Sequence, residues 1–298
     1  MLGRGSRSMR SCALPDSMAG NRIDRTLSIA TVAMTPDLDP RISRERIAGL
    51  VRRVVEEHAD VRLILFGETI LGWFYKKGET EAYHRRIAET IPGPSTEFVA
   101  RLAREHDVYL SFGLSEKHNG RLYNTQVLID PNGEIAAVHR KFWTRNRVFT
   151  PGERRLTTAD IDGVKAAILI CADARSLWLL RAIRRARPDV VLASLADYGT
   201  NLRLSQMIGA FCDAWTVVAN RVGEEPPLTW HGLLTITDPL ARMRAHGMGK
   251  EQFLYCTIPI TRSGPVRRTA RRAFVGGKLM VLIVALLCGM VAKKLRRR

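Results

Sequence analysis

Between residues 28 and 260 the sequence alternates short apolar runs with longer amphipathic segments, and this alternation constrains the fold more than any other feature. The apolar runs have the length of strands and cover residues 28–34, 61–66, 108–114, 164–170, 190–194 and 216–219. Apolar residues at helical spacing mark residues 42–58, a segment around 98–102, residues 177–187 and a segment around 202–214. Strands separated by amphipathic helices predict an α/β domain.

Two further pairs of strands are predicted. Residues 123–129 and 135–140 flank the sequence Asp-Pro-Asn-Gly, whose residue types favour a tight turn, so we expect a hairpin there. Residues 233–237 and 253–258 are the last strand-like runs. We expect this second pair to close the domain.

Three reactive side chains directly follow three of these strands. Glu68 comes after the run 61–66, Lys141 after 135–140, and Cys171 after 164–170. Functional residues gather on loops at the carboxyl ends of strands in α/β sheets, because the rigid sheet supports those loops. Nucleophilic acyl chemistry requires a thiol nucleophile, a carboxylate that takes its proton and a cation that stabilises the oxyanion.

Each of the three residues also has a simpler interpretation. A single cysteine that ends an apolar strand is more often a small buried hydrophobic residue than a nucleophile. Lys141 ends the run His139-Arg140-Lys141, which is typical of a solvated strand end, and Glu68 could be a turn or cap residue. Position alone leaves both interpretations open.

The sequence around these residues resembles the nitrilase superfamily, also called the carbon–nitrogen hydrolases, over about residues 28–260. The glutamate block is LILFGETILGW, and the cysteine block is GVKAAILICADARSLWLLRAI with its Cys-x-Asp-x-Arg pattern. The family's lysine block is matched by LYNTQVLIDPNGEIAAVHRKFWTRNRVFTPGE, and its later segments by VVANRVGEE and GLLTITDPLARM. The blocks stand in the family's order and include all three reactive residues.

The resemblance implies a role for each reactive residue. Glu68 would be the general base, Lys141 would stabilise the tetrahedral intermediate, and Cys171 would form an acyl enzyme that water then hydrolyses. The backbone N–H of Ala172 would be a second oxyanion donor. The substrate would be a small molecule with an amide, carbamoyl or nitrile bond, and no metal or other cofactor is implied.

The resemblance also implies an architecture. It predicts a four-layer α–β–β–α sandwich that pairs through its outer helices into dimers or larger assemblies. Asp173, Arg175, Asn220 and Arg221 match positions that support the site without taking part in the chemistry. Four aromatic residues lie near the predicted strand ends, where they would either line the substrate pocket or pack in the core: Trp73, Trp143, Trp178 and Tyr198.

The sequence departs from the family pattern close to the site. Gly67 replaces the proline that usually precedes the glutamate. The segment from Lys141 to Pro151 lacks the additional glutamate that many members place between their lysine and cysteine, and Glu153 matches only the ordinary acid after Pro-Gly. These differences leave the three reactive residues in place. They affect which class of substrate the site would accept.

The net charge of +18 belongs mostly to the two ends of the chain. Residues 1–27 carry +3, and residues 262–298 carry eleven basic and no acidic residues, whereas the stretch between them carries +4. A basic end beside an apolar run favours an anionic lipid surface over nucleic acid as a partner.

That apolar run covers residues 274–292 and contains one charge, Lys278. A helix of about 20 apolar residues spans a bilayer, so we predict a C-terminal transmembrane helix, or otherwise a helix that lies in the membrane interface or packs on a partner. The predicted organisation is a disordered basic leader (1–27), a hydrolase domain (28–261), a basic linker (262–273), this helix (274–292) and a basic tail (293–298).

The sequence therefore predicts a carbon–nitrogen hydrolase with a Glu-Lys-Cys triad, whose domain faces the cytoplasm and is anchored to the membrane. If the C-terminal helix is no anchor, the protein would be soluble in the cytoplasm. The same acyl enzyme could instead transfer its acyl group to an amine. A third possibility is a membrane-tethered scaffold that keeps the fold without the chemistry.

Overall fold

The computed structural model describes residues 24–144, 148–199 and 202–261, together with Gly277. The helices are α1 (Pro40–Glu57), α2 (Thr80–Ile87), α3 (Pro94–His106), α4 (Leu177–Ala186) and α5 (Arg203–Cys212), with a short 3-10 helix at Cys171–Arg175. The strands are β1 (Arg25–Met34), β2 (Leu63–Leu65), β3 (Tyr109–His118), β4 (Arg121–Ile129), β5 (Ile135–Arg140), β6 (Thr157–Ile161), β7 (Val164–Ile170), β8 (Val190–Ser194), β9 (Trp215–Glu225), β10 (Leu228–His231), β11 (Leu234–Thr237), β12 (Met243–Gly247) and β13 (Gln252–Ile260).

Local sequence explains where several elements begin. The Asp39 side chain accepts a hydrogen bond from the backbone N–H of Arg41, and Pro40 occupies the first turn, so α1 starts there. The Ser176 side chain caps α4 in the same way by accepting from the N–H of Leu179. In the turn between β4 and β5, Gly133 has a φ of 79°, which glycine adopts without strain.

The strands form two sheets that are joined at one place. The first sheet has the order β5-β4-β3-β2-β1-β13, and the second has the order β6-β7-β8-β9-β11-β12. β1, β2 and β3 are parallel in the first sheet, as are β7, β8 and β9 in the second. β1 and β9 meet in parallel register, Ala33 beside Asn220 and Met34 beside Arg221. This junction brings together the loops that follow β2 and β8, since Glu68 N–H donates to the Leu195 carbonyl.

Three clusters of buried apolar side chains define four layers. The central cluster lies between the sheets and contains, among others, Ile29 and Leu65 of the first sheet and Ile168 and Leu192 of the second. A second cluster packs α1 and α3 on the outer face of the first sheet. The third packs α4 and α5 on the outer face of the second sheet. This layering fits the predicted α–β–β–α sandwich.

Most of the predicted elements are present, and the exceptions are informative. β7 and β8 have the predicted bounds, whereas β2 covers only three residues of the predicted run 61–66. The predicted closing pair was wrong: β11 pairs with β9 and β12, whereas β13 pairs antiparallel with β1. The prediction missed α2, β6, β10 and β12, whose sequences carry too few apolar residues to stand out.

The boundary of the predicted leader also needs correction. β1 begins at Arg25, so residues 25–27 belong to the first strand, and Leu27 is buried between the sheets because its side chain faces the second sheet. The rest of the leader up to residue 23 lies outside the described residues, as does the predicted helix 274–292 apart from Gly277. Within the described ranges, no helix has the length and apolarity that a bilayer crossing needs.

Candidate active site

The three reactive residues follow β2, β5 and β7, and the structure brings the first two into direct contact. The Lys141 ammonium donates a hydrogen bond of 2.6 Å from Nζ to Glu68 Oε1. The exposed fraction of the side chain is 8% for Lys141 and 0% for Glu68. Glu68 and Lys141 follow strands of the first sheet, whereas Cys171 follows β7 of the second sheet. Residues from both sheets therefore surround this ion pair.

The Glu68 carboxylate is held by three donors. The Asn124 side chain donates to Oε1 at 2.6 Å, in addition to Lys141, and the backbone N–H of Ala196 donates to Oε2 at 2.9 Å. Both carboxylate oxygens therefore have partners, and the group has one orientation. Asn124 belongs to the Tyr-Asn-Thr sequence of the lysine block, to which the sequence analysis gave no role.

Two glycines allow the chain to approach closely around Glu68. A Cβ atom on Gly113 of β3 would lie 2.4 Å from the backbone nitrogen of Thr69 and 2.9 Å from Glu68 Cα. A Cβ on Gly67 would lie 3.0 Å from the carbonyl carbon of Asn220. These contacts are with backbone, which cannot rotate away. Gly67, where the family usually has proline, therefore fits a close contact between the loop after β2 and β9.

The charge of Lys141 is set by opposing effects. Burial lowers the pKa of this lysine, but electrostatic interactions, chiefly with the negative charge of Glu68, outweigh burial and raise the pKa above its ordinary value. Lys141 is therefore a cation at neutral pH. Its backbone is fixed from both sides, since its N–H donates to the Asn124 carbonyl and its own carbonyl accepts from Gly152 N–H.

Cys171 stands at the start of the 3-10 helix and is partly exposed. Its φ of 42° is in the left-handed region, which non-glycine residues rarely adopt outside functional or strained sites. Burial and the charge of Glu68 raise the pKa of the thiol to about 12, against the opposing effect of Lys141. No hydrogen bond joins the sulfur to Glu68 or Lys141 in the described parts of the chain, yet all three groups interact electrostatically.

Asp173 connects the turn after Cys171 to the lysine strand. Its side chain accepts hydrogen bonds from His139 Nε2 at 3.0 Å, from the Trp143 N–H at 2.9 Å and from the Ile170 N–H at 3.3 Å. The carboxylate is fully buried. Its contacts fit the supporting position that the resemblance implied. Arg175, at the other end of the 3-10 helix, is exposed, and Ala172 is partly exposed beside the cysteine.

Asn220 fixes the segment after β8. Its side chain donates to the Asp197 carbonyl at 2.9 Å and accepts from the Asp197 N–H at 3.1 Å and from the Arg221 N–H at 2.9 Å. Asp197 follows Ala196, whose N–H donates to Glu68. Asn220 therefore holds in place the segment whose Ala196 N–H orients the Glu68 carboxylate.

Arg221 is fully buried and holds the loop that follows Glu68. It forms an ion pair with buried Glu225 and donates to the Gly72 carbonyl at 2.7 Å and to Thr69 Oγ1 at 3.2 Å. Glu225 in turn accepts from the backbone N–H groups of Phe74 and Tyr75. Burial lowers the pKa of Arg221 and raises that of Glu225, while the charge of each partner opposes the shift of the other.

The interpretation of residues 139–141 as a solvated strand end was wrong. His139 and Lys141 are buried, and Arg140 forms an ion pair with buried Glu116. Three consecutive polar residues thus have three separate partners. Nothing in the run itself identifies these partners, because they lie 24, 34 and 73 residues away along the chain and only the fold brings them close.

The four predicted pocket aromatics occupy different environments. Trp143 and Tyr198 are 43% and 63% exposed. Trp178 is partly buried and packs on the cluster beneath α4 and α5. Its ring meets the Phe142 ring edge-to-face, with 6.1 Å between the ring centroids. Trp73 is partly buried and its backbone N–H donates to the Tyr83 hydroxyl. The packing of Trp178 favours the core alternative, and a pocket role for the other three stays a prediction.

Among the residues whose positions are given, no group of three or more His, Cys, Asp or Glu side chains is arranged to hold a metal ion. The polar groups at the site are instead a carboxylate, an ammonium and a thiol, with backbone and amide donors around them. This set suits nucleophilic acyl chemistry without a metal.

Comparisons with known proteins agree with this chemistry. The family model described as carbon-nitrogen hydrolase matches residues 28–268. An (R)-stereoselective amidase of Pseudomonas sp is 32% identical over 192 residues, which are 62% of this chain and 68% of that protein. A nitrilase of Pyrococcus abyssi is 28% identical over 228 residues, which are 73% of this chain and 83% of that protein.

The fold has relatives among solved structures. A mutant of the amidase from Nesterenkonia sp. AN1 superposes with a TM-score of 0.69 at 19% identity, and the match covers 82% of this chain and 96% of that one. The family match, the two relatives and the fold confirm the resemblance found in the sequence. The chain belongs to the carbon–nitrogen hydrolase family, the nitrilase superfamily, and is a carbon–nitrogen hydrolase.

Proposed function

We propose that the protein hydrolyses a small amide, carbamoyl or nitrile compound through an acyl enzyme on Cys171, with Glu68 as general base and Lys141 as the cation at the oxyanion. The observation that carries the proposal is the buried contact of 2.6 Å between Lys141 Nζ and Glu68 Oε1, whose charges both act on the Cys171 sulfur. Burying two charges costs free energy unless both are fully partnered. The presence of such a pair therefore favours a functional reason for it.

The first step requires a base because the sulfur is protonated. With a thiol pKa of about 12, almost no thiolate exists at neutral pH. As the sulfur attacks the carbonyl carbon, the S–C bond forms and the thiol proton passes to Glu68. The carboxylate is suited to this task because three donors fix its orientation before the substrate arrives.

The negative charge that develops on the carbonyl oxygen needs donors. Lys141 is a cation at neutral pH and lies beside Glu68, and the backbone N–H of Ala172 follows the nucleophile directly. A fixed cation and a backbone N–H stabilise an oxyanion more in the transition state than in the ground state.

Collapse of the intermediate completes the acyl transfer. The C–N bond breaks, the leaving nitrogen takes the proton from Glu68, and a thioester on Cys171 remains. Water then attacks the thioester, and Glu68 takes a proton from that water. The C–S bond breaks, Glu68 returns the proton to the sulfur, and the acid is released from the restored thiol. A related observation supports the cysteine as nucleophile: in the Nesterenkonia amidase mutant, the acetamide moiety of fluoroacetamide, with its C–N bond intact, is covalently added to the active-site cysteine.

The surrounding residues act by positioning these groups. Asp173 holds the turn after Cys171 against β5, Asn220 holds the Ala196 donor, and Arg221 holds the loop after Glu68. We also propose that the predicted hydrolase domain 28–261, extended at its start by residues 25–27 of β1, forms homodimers or larger assemblies. Residues 274–292 would form a separate apolar helix. The family match ends at residue 268, before that run begins, which supports the separation.

The proposed acyl enzyme is tested by intact-protein mass spectrometry during turnover of a panel of small amides and nitriles. We expect the wild type to carry the acyl group of the substrate on Cys171 and to release ammonia, and we expect the Cys171→Ala variant to do neither. Cys212→Ala is the matched control, because Cys212 is also a free cysteine with a thiol pKa of about 12. An acyl group on Cys212, or turnover that survives in Cys171→Ala, would contradict the proposal.

The raised pKa of Cys171 predicts how its reaction with iodoacetamide depends on pH. Only the thiolate reacts, and below a pKa of about 12 its fraction grows about tenfold per pH unit. Without substrate, we therefore expect the alkylation rate to keep rising between about pH 7 and pH 10. A rate that levels off near pH 8.5, as in the urea-unfolded chain, would show that the thiolate forms without the base.

A further inference from the structure

We propose that Asp197 binds a cationic group of the substrate, so that the site selects amides with an ammonium beside the scissile carbonyl. This inference rests on the proposed function, since it concerns the substrate of the same site. The sequence analysis gave Asp197 no role, and the residue lies three positions beyond the end of β8.

Asp197 is next to a residue that already belongs to the site. The N–H of Ala196 donates to Glu68 Oε2, so the chain passes the catalytic carboxylate immediately before residue 197. The Asn220 side chain then bonds both the N–H and the carbonyl of Asp197, and the Gly199 N–H donates to Asp197 Oδ1 at 2.8 Å. The carboxylate is thus held in place by the protein and needs little ordering when a ligand binds.

The carboxylate also has unused capacity. Asp197 is partly exposed, and no described residue forms an ion pair with it or donates a hydrogen bond to Oδ2. Asp173, by contrast, is fully buried and accepts three hydrogen bonds. Of the two, only Asp197 has an oxygen available for a ligand.

The charge around the sulfur favours a cationic ligand. Glu68 and Asp197 both raise the pKa of Cys171, and Lys141 is the cation that lowers it, so two carboxylates face one ammonium while the sulfur is a neutral thiol. Lys141 is already paired with Glu68. A substrate ammonium would balance the remaining negative charge. Ile170 and Ser194 lie side by side at the ends of β7 and β8, so Cys171 and Asp197 follow neighbouring strand ends. An ammonium bound to Asp197 would therefore sit close to the carbonyl that the sulfur attacks.

The test compares two amides of nearly the same shape, alaninamide and isobutyramide, in which an ammonium replaces a methyl group. We expect Asp197→Asn to lower the ratio of kcat/KM for alaninamide to kcat/KM for isobutyramide by about 10- to 100-fold, the usual range for losing one charged hydrogen bond. A changed thiol pKa in the variant affects both amides and cancels in this ratio. Asparagine keeps the acceptor for the Gly199 N–H, so the loop is retained. An ammonium also activates the neighbouring carbonyl. The ratio of kcat/KM for the two amides in the variant therefore gives the intrinsic difference in their reactivity.

The pH dependence adds a readout that a structural role would not change. The α-amino group of such an amide titrates at about pH 8, so the wild-type preference for alaninamide should fall between about pH 7 and pH 9.5. The fall should be smaller in the variant, where only the activation of the carbonyl is lost. Equal losses for both amides, or an unchanged preference, would overturn the inference. Failure of the proposed function itself would look different, because then neither amide would leave an acyl group on Cys171 in the wild type.

Discussion

Replacement of Glu68 by glutamine is expected to lower kcat for amide hydrolysis by about 10²- to 10⁴-fold, the usual contribution of a general base. Glutamine has the same size and still offers an oxygen to the Ala196 N–H, but it does not take the thiol proton at neutral pH. Steady-state kinetics with the best amide of the panel, together with the melting temperature, would measure the effect. A variant that keeps its fold and turns over as fast as the wild type would contradict the role of base.

The same variant should change the reactivity of the sulfur in the opposite direction. The charge of Glu68 raises the pKa of Cys171, and its ion pair occupies Lys141. With glutamine at position 68 the thiol pKa falls, so at a given pH the alkylation rate with iodoacetamide should rise while amide turnover falls. A collapsed site would lower both rates, and this difference in sign separates lost chemistry from lost structure.

Glu89→Gln serves as the matched control for the loss of one negative charge. Glu89 forms a partly buried ion pair with Arg44 and bonds Ser95, and it has no contact with the three reactive residues. We expect this variant to lose some stability and to keep kcat within about twofold. A loss as large as that of Glu68→Gln would mean that turnover responds to general destabilisation.

The positions of the three reactive residues could be predicted because they depend on where apolar strands end. β7 and β8 are apolar except for Lys165 and Ser194, and a nearly continuous apolar run of this kind is recognisable from the sequence alone. The pairing of β13 could not be predicted in the same way. Any strand offers the same backbone donors and acceptors. The sequence of β13 therefore does not identify β1 rather than β11 as the neighbour of β13.

The ion pairs around the site were beyond prediction for another reason. Arg140 finds Glu116 at a distance of 24 residues along the chain, and His139 finds Asp173 at 34. A charged residue looks solvated in the sequence unless its partner is known, and the partner is fixed only by the fold. Asp197 is a case of the same kind, since it comes near Cys171 only because β7 and β8 pair in parallel with Ile170 beside Ser194.

Arg221 is the residue whose replacement should cost most stability. Arg221→Met is expected to lower the free energy of unfolding by about 3–5 kcal/mol, because it leaves the charge of Glu225 buried without a partner. Methionine fills similar space against Trp230, whose ring lies 5.2 Å from the guanidinium carbon. Because Arg221 also holds the Gly72 carbonyl in the loop after Glu68, amide turnover should fall as well. Denaturant unfolding would give the free energy.

The double variant Arg221→Met with Glu225→Gln removes both charges and is expected to recover part of the lost stability. Glutamine can still accept from the N–H groups of Phe74 and Tyr75, so the remaining cost is mainly that of the lost bonds to Gly72 and Thr69. A double variant that is as unstable as Arg221→Met would show that the arginine acts through its packing and not through its charge.

The pH dependence of the Arg221→Met deficit gives the sharpest check of this account. Burial raises the pKa of Glu225 and the charge of Arg221 opposes that rise, so removing the arginine raises the pKa further. A carboxyl group with a higher pKa in the folded than in the unfolded state binds more protons when folded, and stability then falls as the pH rises above the unfolded pKa of about 4.3. The deficit relative to the wild type should therefore be smallest near pH 4 and largest at neutral pH. A deficit that does not change with pH would place its cause in the packing around Trp230 and not in the buried charge.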